Sequence, residues 1–251
     1  MSENERKPLN LAICIPGEQF PNVWVSNWTT FLAQLIMDPD YAYNVQFYLG
    51  YSSNVYATRS TIWNGVMKGQ GGVVADYILW MDDDNLLTFD QFKILLNDMF
   101  DDPMLDMVSA WCYCQPDGYD IHAVPSCGYR SSEDGIRCKP IRVTALLGQI
   151  PISVDWTGFP AVLMRSRIGR MAGDRPFRPI VDGRTEMGFL GEDISFCYRA
   201  KDGGAVIKVD PRLEIVHLKV RAVAPGMRSV AHLPCKGEED QNATDVVEAR
   251  Q

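Results

Sequence analysis

Three consecutive aspartates, Asp82, Asp83 and Asp84, directly follow the apolar run at residues 77–81. Adjacent carboxylates repel one another, so a fold tolerates them mainly where a cation offsets their charge. Mg²⁺ and Mn²⁺ prefer oxygen ligands, and alternate residues of an extended segment point the same way. Asp82 and Asp84 are therefore candidate ligands of one divalent ion. The alternative interpretation is an acidic turn whose side chains are solvated.

Two later segments carry further groups that can do chemistry. Glu192 and Asp193 precede a predicted helix, where one carboxylate can act as a general base. Carboxylates at this position also simply complement the helix dipole, and that interpretation remains open. His217 follows an apolar run at residues 213–216. A neutral imidazole there is either a third ligand for Mn²⁺ or a packed polar side chain.

The apolar pattern of the first half predicts the elements that must position these groups. Runs typical of strands alternate with helical spacing: strands at 9–15, 44–49, 77–81 and 107–111, and helices at 26–37, 54–68 and 88–100. Such alternation predicts an α/β fold, with a mostly parallel twisted sheet and helices on both faces. Ligands bind these sheets at the carboxyl ends of strands, which is where the aspartates lie.

The second half of the chain is less regular. The pattern predicts a long loop at 112–140, strands at 141–147, 152–156, 205–209 and 213–216, and a helix at 191–200, with a further apolar run at 161–164. Because no linker or internal repeat is visible, residues 1–236 are predicted to form one domain with two halves, at about 9–111 and 112–236. Residues 237–251 are polar and acidic, and we expect this tail to be disordered.

The composition is that of a globular protein, with 46% hydrophobic and 22% charged residues among 251. No stretch approaches the roughly 20 apolar residues of a membrane-spanning helix, and the N-terminus carries no apolar signal core. The seven cysteines show no disulfide framework, which favours a reducing compartment. We therefore expect a soluble protein of the cytoplasm.

Charge is distributed unevenly along the chain, whose net charge is −8. Residues 1–127 carry 5 Lys and Arg against 16 Asp and Glu, whereas residues 128–251 carry 19 against 16. Arginines are concentrated after the apolar run at 161–164, namely Arg165, Arg167, Arg170, Arg175, Arg178 and Arg184. They form either a solvated basic face or a surface for phosphate groups, which the planar guanidinium binds well.

Four cysteines, Cys112, Cys114, Cys127 and Cys138, lie close together in the sequence, with His122 between them. Four thiols can hold a structural zinc ion that braces a long loop. The spacings lack the paired C-x₂-C motif of most zinc sites. The sequence therefore leaves zinc binding open.

The order and spacing of these features resemble the GT-A glycosyltransferases, most closely the family 2 type and its small viral and bacterial relatives. The resemblance covers roughly residues 9–217 and includes the strand-end acidic triplet, a Thr-Gly-Phe segment, a Gly-Glu-Asp helix start and a late histidine. It implies a GT-A, Rossmann-like fold and a cytoplasmic enzyme of a bacterium or a virus-infected cell. It also implies inverting, metal-dependent transfer of a sugar from a nucleotide-diphosphate donor, such as a UDP-sugar, with Mn²⁺ or Mg²⁺.

For the donor and the metal, the resemblance implies roles for single residues. In the family, the loop after the first strand, an arginine of the second helix and the acidic segment bind the donor; the donor-binding residues that the resemblance implies are Pro16, Gly17, Glu18, Arg59, Asp82 and Asp83. Asp82 and Asp84 match the DxD motif. Asp84 would be the direct metal ligand, and His217 would complete the metal site. Asp82 would lie nearer the ribose or a metal-bound water.

The acceptor half receives its roles in the same way. The resemblance makes Asp193 the base that takes the acceptor proton, with Glu192 beside it in the ED motif. The segment that lines the donor sugar and the acceptor corresponds to Trp156, Thr157 and Gly158.

Several acceptors and functions remain open. The basic second half fits a DNA acceptor, such as a hydroxymethylated base, with Arg165, Arg167, Arg170, Arg175 and Arg178 on its phosphates. The alternative acceptor is a cell-envelope saccharide or a lipid-linked molecule. Nucleotidyl transfer is a different class, but the loop at 16–20 lacks its Gly-rich basic signature. A non-catalytic module that binds nucleotide sugars is the third alternative.

Overall fold

The structure is a computed structural model, which describes residues 7–70, 72, 74–114, 124–131, 138–183, 185 and 188–218. These residues belong to one compact unit that ends at Leu218. His122, Arg184 and the predicted tail at 237–251 lie outside the described residues. No helix in the described ranges has the length and apolar character needed to cross a bilayer.

The described chain contains helices, strands and one 3₁₀ helix. The helices are α1 (Asn22–Ile36), α2 (Val55–Met67), α3 (Phe89–Asp101), α4 (Ile168–Ala172) and α5 (Glu192–Asp202), and the 3₁₀ helix covers Val143–Leu147. The strands are β1 (Lys7–Pro16), β2 (Tyr41–Gly50), β3 (Tyr77–Met81), β4 (Asn85–Leu86), β5 (Met107–Trp111), β6 (Tyr113–Cys114), β7 (Val124–Pro125), β8 (Cys127–Tyr129), β9 (Lys139–Pro140), β10 (Ile152–Ser153), β11 (Trp156–Thr157), β12 (Ala161–Arg165), β13 (Ile207–Glu214) and β14 (Val216–His217).

Seven strands form the central sheet, in the order β10-β13-β5-β12-β3-β1-β2. β1 pairs in parallel with β2 and β3, and β13 pairs in parallel with β5. β12 runs antiparallel between β3 and β5, and β10 is antiparallel to β13. Five strands therefore share one direction, which confirms the mostly parallel sheet. Their carboxyl ends meet at one edge, where Asp82 follows β3.

Helices cover both faces of this sheet, as predicted. On one face, Ile78 and Trp80 of β3 pack in a buried cluster with residues of α2 and α5. On the other face, Leu79 and Met81 pack with residues of α1 and α3. Every residue of β3 is buried, as expected for a strand between two helical layers. The strand that carries the aspartates is thus held rigidly.

Two helices near the aspartates begin at side-chain caps. The side chain of Asn54 accepts a hydrogen bond from the N–H of Ala57 at 3.2 Å, which satisfies an otherwise unpaired donor in the first turn of α2. Thr88 and Gln91 form a capping box at the start of α3, where two otherwise unpaired N–H groups are satisfied reciprocally. The position of Arg59, in the second turn of α2, is therefore fixed by local sequence.

Several predictions for the second half are wrong. Residues 141–147 form no strand; most of this run is the 3₁₀ helix, in which Val143 and Leu147 are exposed and only Leu146 is buried. The predicted strand at 152–156 is divided between β10 and β11, which belong to different sheets. Parts of the predicted loop at 112–140 form the short strands β6 to β9.

The two last predicted strands of the central sheet are one strand. Residues 207–209 and 213–214 of these two predictions lie in the single strand β13, whose register shifts between Val209 and Glu214, and Val216 begins β14. Pro211 lies in this interval, and its lack of an N–H interrupts the hydrogen-bond ladder without ending the strand. His217 follows in the separate strand β14.

Candidate functional site

A short ladder brings the last described strand to the aspartate triplet. β14 pairs antiparallel with β4 and places His217 opposite Asn85. The N–H of Leu218 donates to the carbonyl oxygen of Asp84 at 2.6 Å. As a result, Nε2 of His217 lies 2.9 Å from Oδ2 of Asp84, although 133 positions separate these residues. The structure therefore brings together two of the three predicted metal ligands.

The chemistry of the Asp84–His217 pair fits a divalent ion. Both side chains are accessible, with exposed fractions of 36% for Asp84 and 16% for His217. Oδ1 of Asp84 accepts from Nδ2 of Asn85 at 3.1 Å, which fixes the carboxylate with Oδ2 toward the imidazole. A carboxylate oxygen and an imidazole nitrogen are donors that Mn²⁺ accepts, and Mg²⁺ takes the carboxylate. The residues present thus fit such an ion.

Asp82, the third predicted ligand, is held in an ion pair with Arg59, in which the arginine is buried and Asp82 is 24% exposed. Nη2 of Arg59 donates to both carboxylate oxygens of Asp82 at 2.9 Å. Nε of Arg59 lies 3.5 Å from Oε1 of Glu192, and its guanidinium carbon lies 5.1 Å from the ring centroid of Phe159. Burial disfavours the Arg59 charge, but Asp82 and Glu192 outweigh it and raise the pKa of Arg59. One arginine therefore joins the aspartate triplet to the acidic pair of α5.

Two carboxyl groups of the site have strongly raised pKa values. Burial raises the pKa of Asp82 to about 7, against the opposing effect of Arg59. Burial, followed by the charge of Glu192, raises the pKa of Asp193 to about 6. A general base works best with a pKa near the working pH. Asp193 is therefore better suited to proton abstraction than an ordinary aspartate.

Two glycines make room for the Asp193 side chain. A Cβ at Gly191 would lie 2.8 Å from Oδ1 of Asp193, and a Cβ at Gly158 would lie 3.5 Å from Oδ2. Oδ1 also accepts from the N–H of Ile194 at 2.7 Å. The carboxylate is thus anchored through Oδ1, with Oδ2 facing Gly158. Gly158 and Asp193, which are both predicted site residues, therefore lie side by side.

The residue after this glycine has a strained backbone. Phe159 has a φ of 53° and is the non-glycine residue with positive φ among those described. This conformation costs roughly 1–2 kcal/mol for an L-residue. The ring is fully buried and contacts Trp80, Phe177 and Phe196, so packing over-determines the backbone. The turn between β11 and β12 therefore presents the ring to Arg59.

A cavity of about 430 Å³ opens beside the triplet and includes Pro16, Gly17 and Glu18 in its lining. A side chain at Gly17 would overlap the carboxylate of Asp83, whose Oδ2 accepts from the N–H of Glu18 at 3.2 Å. Asp83, predicted to contact a donor, thus holds this loop against the strand end while lining the cavity. Only glycine permits that approach.

The same cavity is lined by residues that the sequence analysis missed, among them Tyr51, Ser52 and Thr58. The hydroxyls of Ser52 and Thr58 lie 3.0 Å apart, and Tyr51 is 57% exposed. The sequence could have indicated these residues. The parallel strands β1 and β2 end at the same edge of the sheet, so the residues that follow each strand must meet there.

Of the predicted segment 156–158, the first two side chains face the core. The hydroxyl of Thr157 lies 2.9 Å from that of Ser109, and both residues are fully buried. Nε1 of Trp156 donates to the carbonyl oxygen of Tyr129 at 3.2 Å. Gly158 is therefore the member of this segment that adjoins the site.

Two of the predicted phosphate-binding arginines lie at the opposite edge of the sheet. Nη1 of Arg165 donates to the hydroxyl of Tyr77, the first residue of β3, at 3.0 Å. Nε of Arg167 donates to Oδ1 of Asp106, just before β5, at 2.6 Å. Since the aspartate triplet follows the other end of β3, the structure does not bring these arginines to the site.

Arg175 and Arg178 lie closer to the acidic pair, and Arg170 lies on α4. Arg175 and Arg178 line a second cavity of about 360 Å³ together with Tyr56 and Trp63 of α2. Burial, followed by the charge of Glu192, raises the pKa of Tyr56. This second cavity is therefore within electrostatic reach of the acidic pair.

The cysteines form a different cluster from the one considered in the sequence. Among the described residues, the potential ligand atoms of Cys112, Cys114 and His217 all lie within 4.8 Å of one another. Sγ of Cys112 is 3.8 Å from Nδ1 of His217. Cys127 and Cys138 are not members of this group, and they remain free thiols.

Comparison with known proteins gives structural similarities alone. No family model matches the sequence, and no curated protein matches it. One similar solved structure is A197 from STIV, at 12% identity and a TM-score of 0.43 over 86% of this chain and 97% of that chain. Another is GalNAc-T7 with UDP, GalNAc and Mn²⁺, at 10% identity and a TM-score of 0.48 over 84% of this chain and 43% of that chain. At these values, neither similarity assigns a function.

Proposed function

We propose that this chain is a metal-dependent glycosyltransferase, which moves a sugar from a nucleotide-diphosphate donor to an acceptor hydroxyl. One observation carries the proposal. The Asp84–His217 pair, the Arg59–Asp82 ion pair and Asp193 converge at the carboxyl edge of the sheet. An ion-binding pair, a buried cation and a carboxylate with a raised pKa are the groups that departure of a diphosphate and attack by a hydroxyl require.

The donor occupies the cavity beside the triplet in this proposal. Its volume of about 430 Å³ is within the usual range for small-molecule sites. Tyr51 offers an exposed ring on which a base can stack. The diphosphate would then point toward Asp84, where a UDP-sugar presents its scissile bond.

Charge at the departing diphosphate is the main barrier that the site must lower. Asp84 and His217 would hold Mn²⁺ or Mg²⁺, which supplies Lewis-acid stabilisation of the leaving phosphates. Arg59 adds a permanent positive charge in a buried position, where electrostatic effects are stronger than in water. Its pairing with Asp82 keeps the guanidinium at a fixed place before any ligand arrives.

Asp193 is the proposed base. Its Oδ2 faces Gly158, the position without a side chain that leaves room for an acceptor hydroxyl. The carboxylate would take the proton as the acceptor oxygen attacks the anomeric carbon, on the face opposite the leaving diphosphate. That arrangement gives inversion of configuration. Glu192, paired with Arg59, positions the start of α5 and keeps the Asp193 pKa raised.

The activity is tested by incubating the full chain with a panel of nucleotide sugars and Mn²⁺ and identifying the released nucleotide. Release of the nucleoside diphosphate supports sugar transfer, whereas release of a sugar 1-phosphate, with the nucleoside monophosphate moved to an acceptor, would indicate nucleotidyl transfer. The Asp84→Ala variant should lose metal-dependent donor binding in calorimetry, and Asp193→Ala should bind donor without transfer. Normal turnover by both variants would contradict the proposal, as would donor binding by the wild type without release of any product.

For the acceptor, we propose a phosphate-bearing molecule such as DNA with a hydroxylated base. Arg175 and Arg178 line the second cavity beside Tyr56, and Arg binds phosphate through two parallel hydrogen bonds. The Arg175→Ala and Arg178→Ala variants should each weaken DNA retention at low salt, with a shallower salt dependence. Arg130→Ala, which removes an exposed arginine paired with Asp202, is the control. Equal retention by all variants would favour an envelope saccharide or lipid-linked acceptor.

A further inference from the structure

The His217 ring has two sides, and the proposed transferase uses one of them. Nε2 faces Asp84 at 2.9 Å, whereas Nδ1 lies 3.8 Å from Sγ of Cys112. The thiol of Cys114 completes a group of three ligand atoms that lie within 4.8 Å of one another. This cluster is described below as the thiol–imidazole group, meaning Cys112, Cys114 and His217.

The backbone fixes the positions of the three residues in the thiol–imidazole group. Cys112 follows β5 directly, and Cys114 ends β6 two residues later, so an extended backbone directs both side chains to the same side. The N–H of Cys112 donates to the hydroxyl of Ser126 at 3.1 Å, which holds the first thiol in place. His217 is fixed by the ladder between β14 and β4.

The separation of Cys112 Sγ and His217 Nδ1 is close to that of two ligands of one zinc ion. With Zn–S near 2.3 Å and Zn–N near 2.0 Å, a tetrahedral ion separates sulfur and nitrogen ligands by about 3.6 Å. The observed Cys112–His217 distance of 3.8 Å differs from that by only a few tenths of an ångström. Small side-chain rotations therefore suffice to bind an ion.

The donor atoms select the class of ion. Two thiolates and an imidazole favour Zn²⁺ over Mg²⁺ and Mn²⁺, which prefer oxygen. We propose that Cys112, Cys114 and His217 bind Zn²⁺, as a second ion distinct from the one at Asp84. Three protein donors leave one tetrahedral position for water or another ligand. This site does not depend on the proposed transferase activity.

Zinc binding would also define what His217 does for the donor ion. With zinc on Nδ1, the ring carries its proton on Nε2, and that N–H donates to Oδ2 of Asp84. Metal-bound histidines usually donate their second ring N–H to a carboxylate or carbonyl in this way. His217 is then a positioning residue for the Asp84 carboxylate, and this role replaces the direct contact between the imidazole and the donor ion in the proposed function. Asp84 alone would hold that ion.

Co²⁺ can replace Zn²⁺ in a protein site and, unlike Zn²⁺, absorbs visible light. Co²⁺ binding therefore tests the proposal. The full chain, purified under reducing conditions and freed of metal with a chelator, is titrated with Co²⁺. We expect one equivalent to produce a sulfur-to-cobalt charge-transfer band and the absorption of a tetrahedral ion, both removed by Zn²⁺. Absence of the band in the wild-type chain would overturn the proposal.

Matched variants assign the band to residues. Cys114→Ser, a substitution at a partly exposed position, and Cys112→Ser should each lose most of the charge-transfer intensity, with circular dichroism confirming the fold. Cys138→Ser, which changes a cysteine outside the thiol–imidazole group, should keep it. If both Cys112→Ser and Cys114→Ser retain the wild-type band, or Cys138→Ser abolishes it, the assignment is wrong.

A further variant separates this site from the proposed activity. Asp84→Asn should retain the cobalt band at saturation and bind Co²⁺ about tenfold more weakly, since loss of a partner of the metal-bound histidine typically costs at least that much. The same variant should lose sugar transfer. Loss of the band in Asp84→Asn at saturating Co²⁺ would contradict the zinc assignment, whereas sugar transfer retained by Asp84→Asn would contradict the proposed activity.

Discussion

The raised pKa of Asp193 makes a quantitative prediction for the pH dependence of sugar transfer. A base with a pKa of about 6 is roughly one-tenth ionised at pH 5 and almost fully ionised at pH 8. The value of kcat/KM, which reports ionisations of the free enzyme, should therefore rise about tenfold between these pH values. An aspartate with the ordinary pKa of 3.8 would already be more than nine-tenths ionised at pH 5. The measurement is diphosphate release at low donor concentration from pH 5 to pH 8.

Two variants assign this profile to the acidic pair. Glu192→Gln removes a negative charge that raises the Asp193 pKa, so the rise should shift to lower pH. Asp193→Asn removes the base with little change of shape and should lower kcat by about 10²–10⁴. A profile that is flat from pH 5 to pH 8 would refute the reasoning. So would a rise that Glu192→Gln leaves in place, since its origin would then lie in another group.

Three further outcomes follow from the described contacts. Arg59→Met leaves the partly buried Asp82 carboxylate without its partner and should lower the free energy of unfolding by about 3 kcal/mol, measured by urea denaturation at pH 8. Asp82 has a pKa of about 7 in the folded protein, against the ordinary aspartate value of 3.8, so the folded state binds an extra proton between these pH values. Stability should therefore fall as pH rises through that window, and Asp82→Asn should make the fall smaller. Gly17→Ala forces a Cβ into Asp83 and should weaken nucleoside diphosphate binding by roughly 1–3 kcal/mol, measured by calorimetry. The control is Thr88→Ala, which lacks the α3 cap: it should lose about 1 kcal/mol of stability but bind the nucleotide normally.

Local sequence determined most of the first half of the fold. The strand at 77–81 was predicted with its observed bounds because an uninterrupted apolar run before three aspartates is typical of a buried parallel strand. Asn54 and Thr88 mark helix starts through a side-chain hydrogen bond that depends on neighbouring residues alone. The parallel arrangement of the strands also predicts which edge of the sheet carries the aspartate triplet.

The rest depended on contacts between distant segments. Nothing in the sequence near Cys112 indicates that His217 lies beside it, because a ladder between two-residue strands makes that contact. Trp156 and Thr157 match a site motif, but pairing of β11 with β8 directs both side chains into the core. Arg165 stands near Gly158 in the sequence, yet β12 carries it to the far edge of the sheet. In each of these cases, the direction and pairing of a strand decide where the side chain lies. The apolar periodicity of the sequence does not encode that direction.

The way in which Arg59 is enclosed has a consequence for substitution at that position. Its flat guanidinium lies over the Phe159 ring while one edge contacts Asp82 and another approaches Glu192. A lysine would supply the same charge as a small sphere on a flexible stem, without a plane to stack or a second edge to share. An Arg59→Lys protein would retain the net charge. Its ammonium group would have to become ordered each time a phosphate binds, and that cost makes binding weaker.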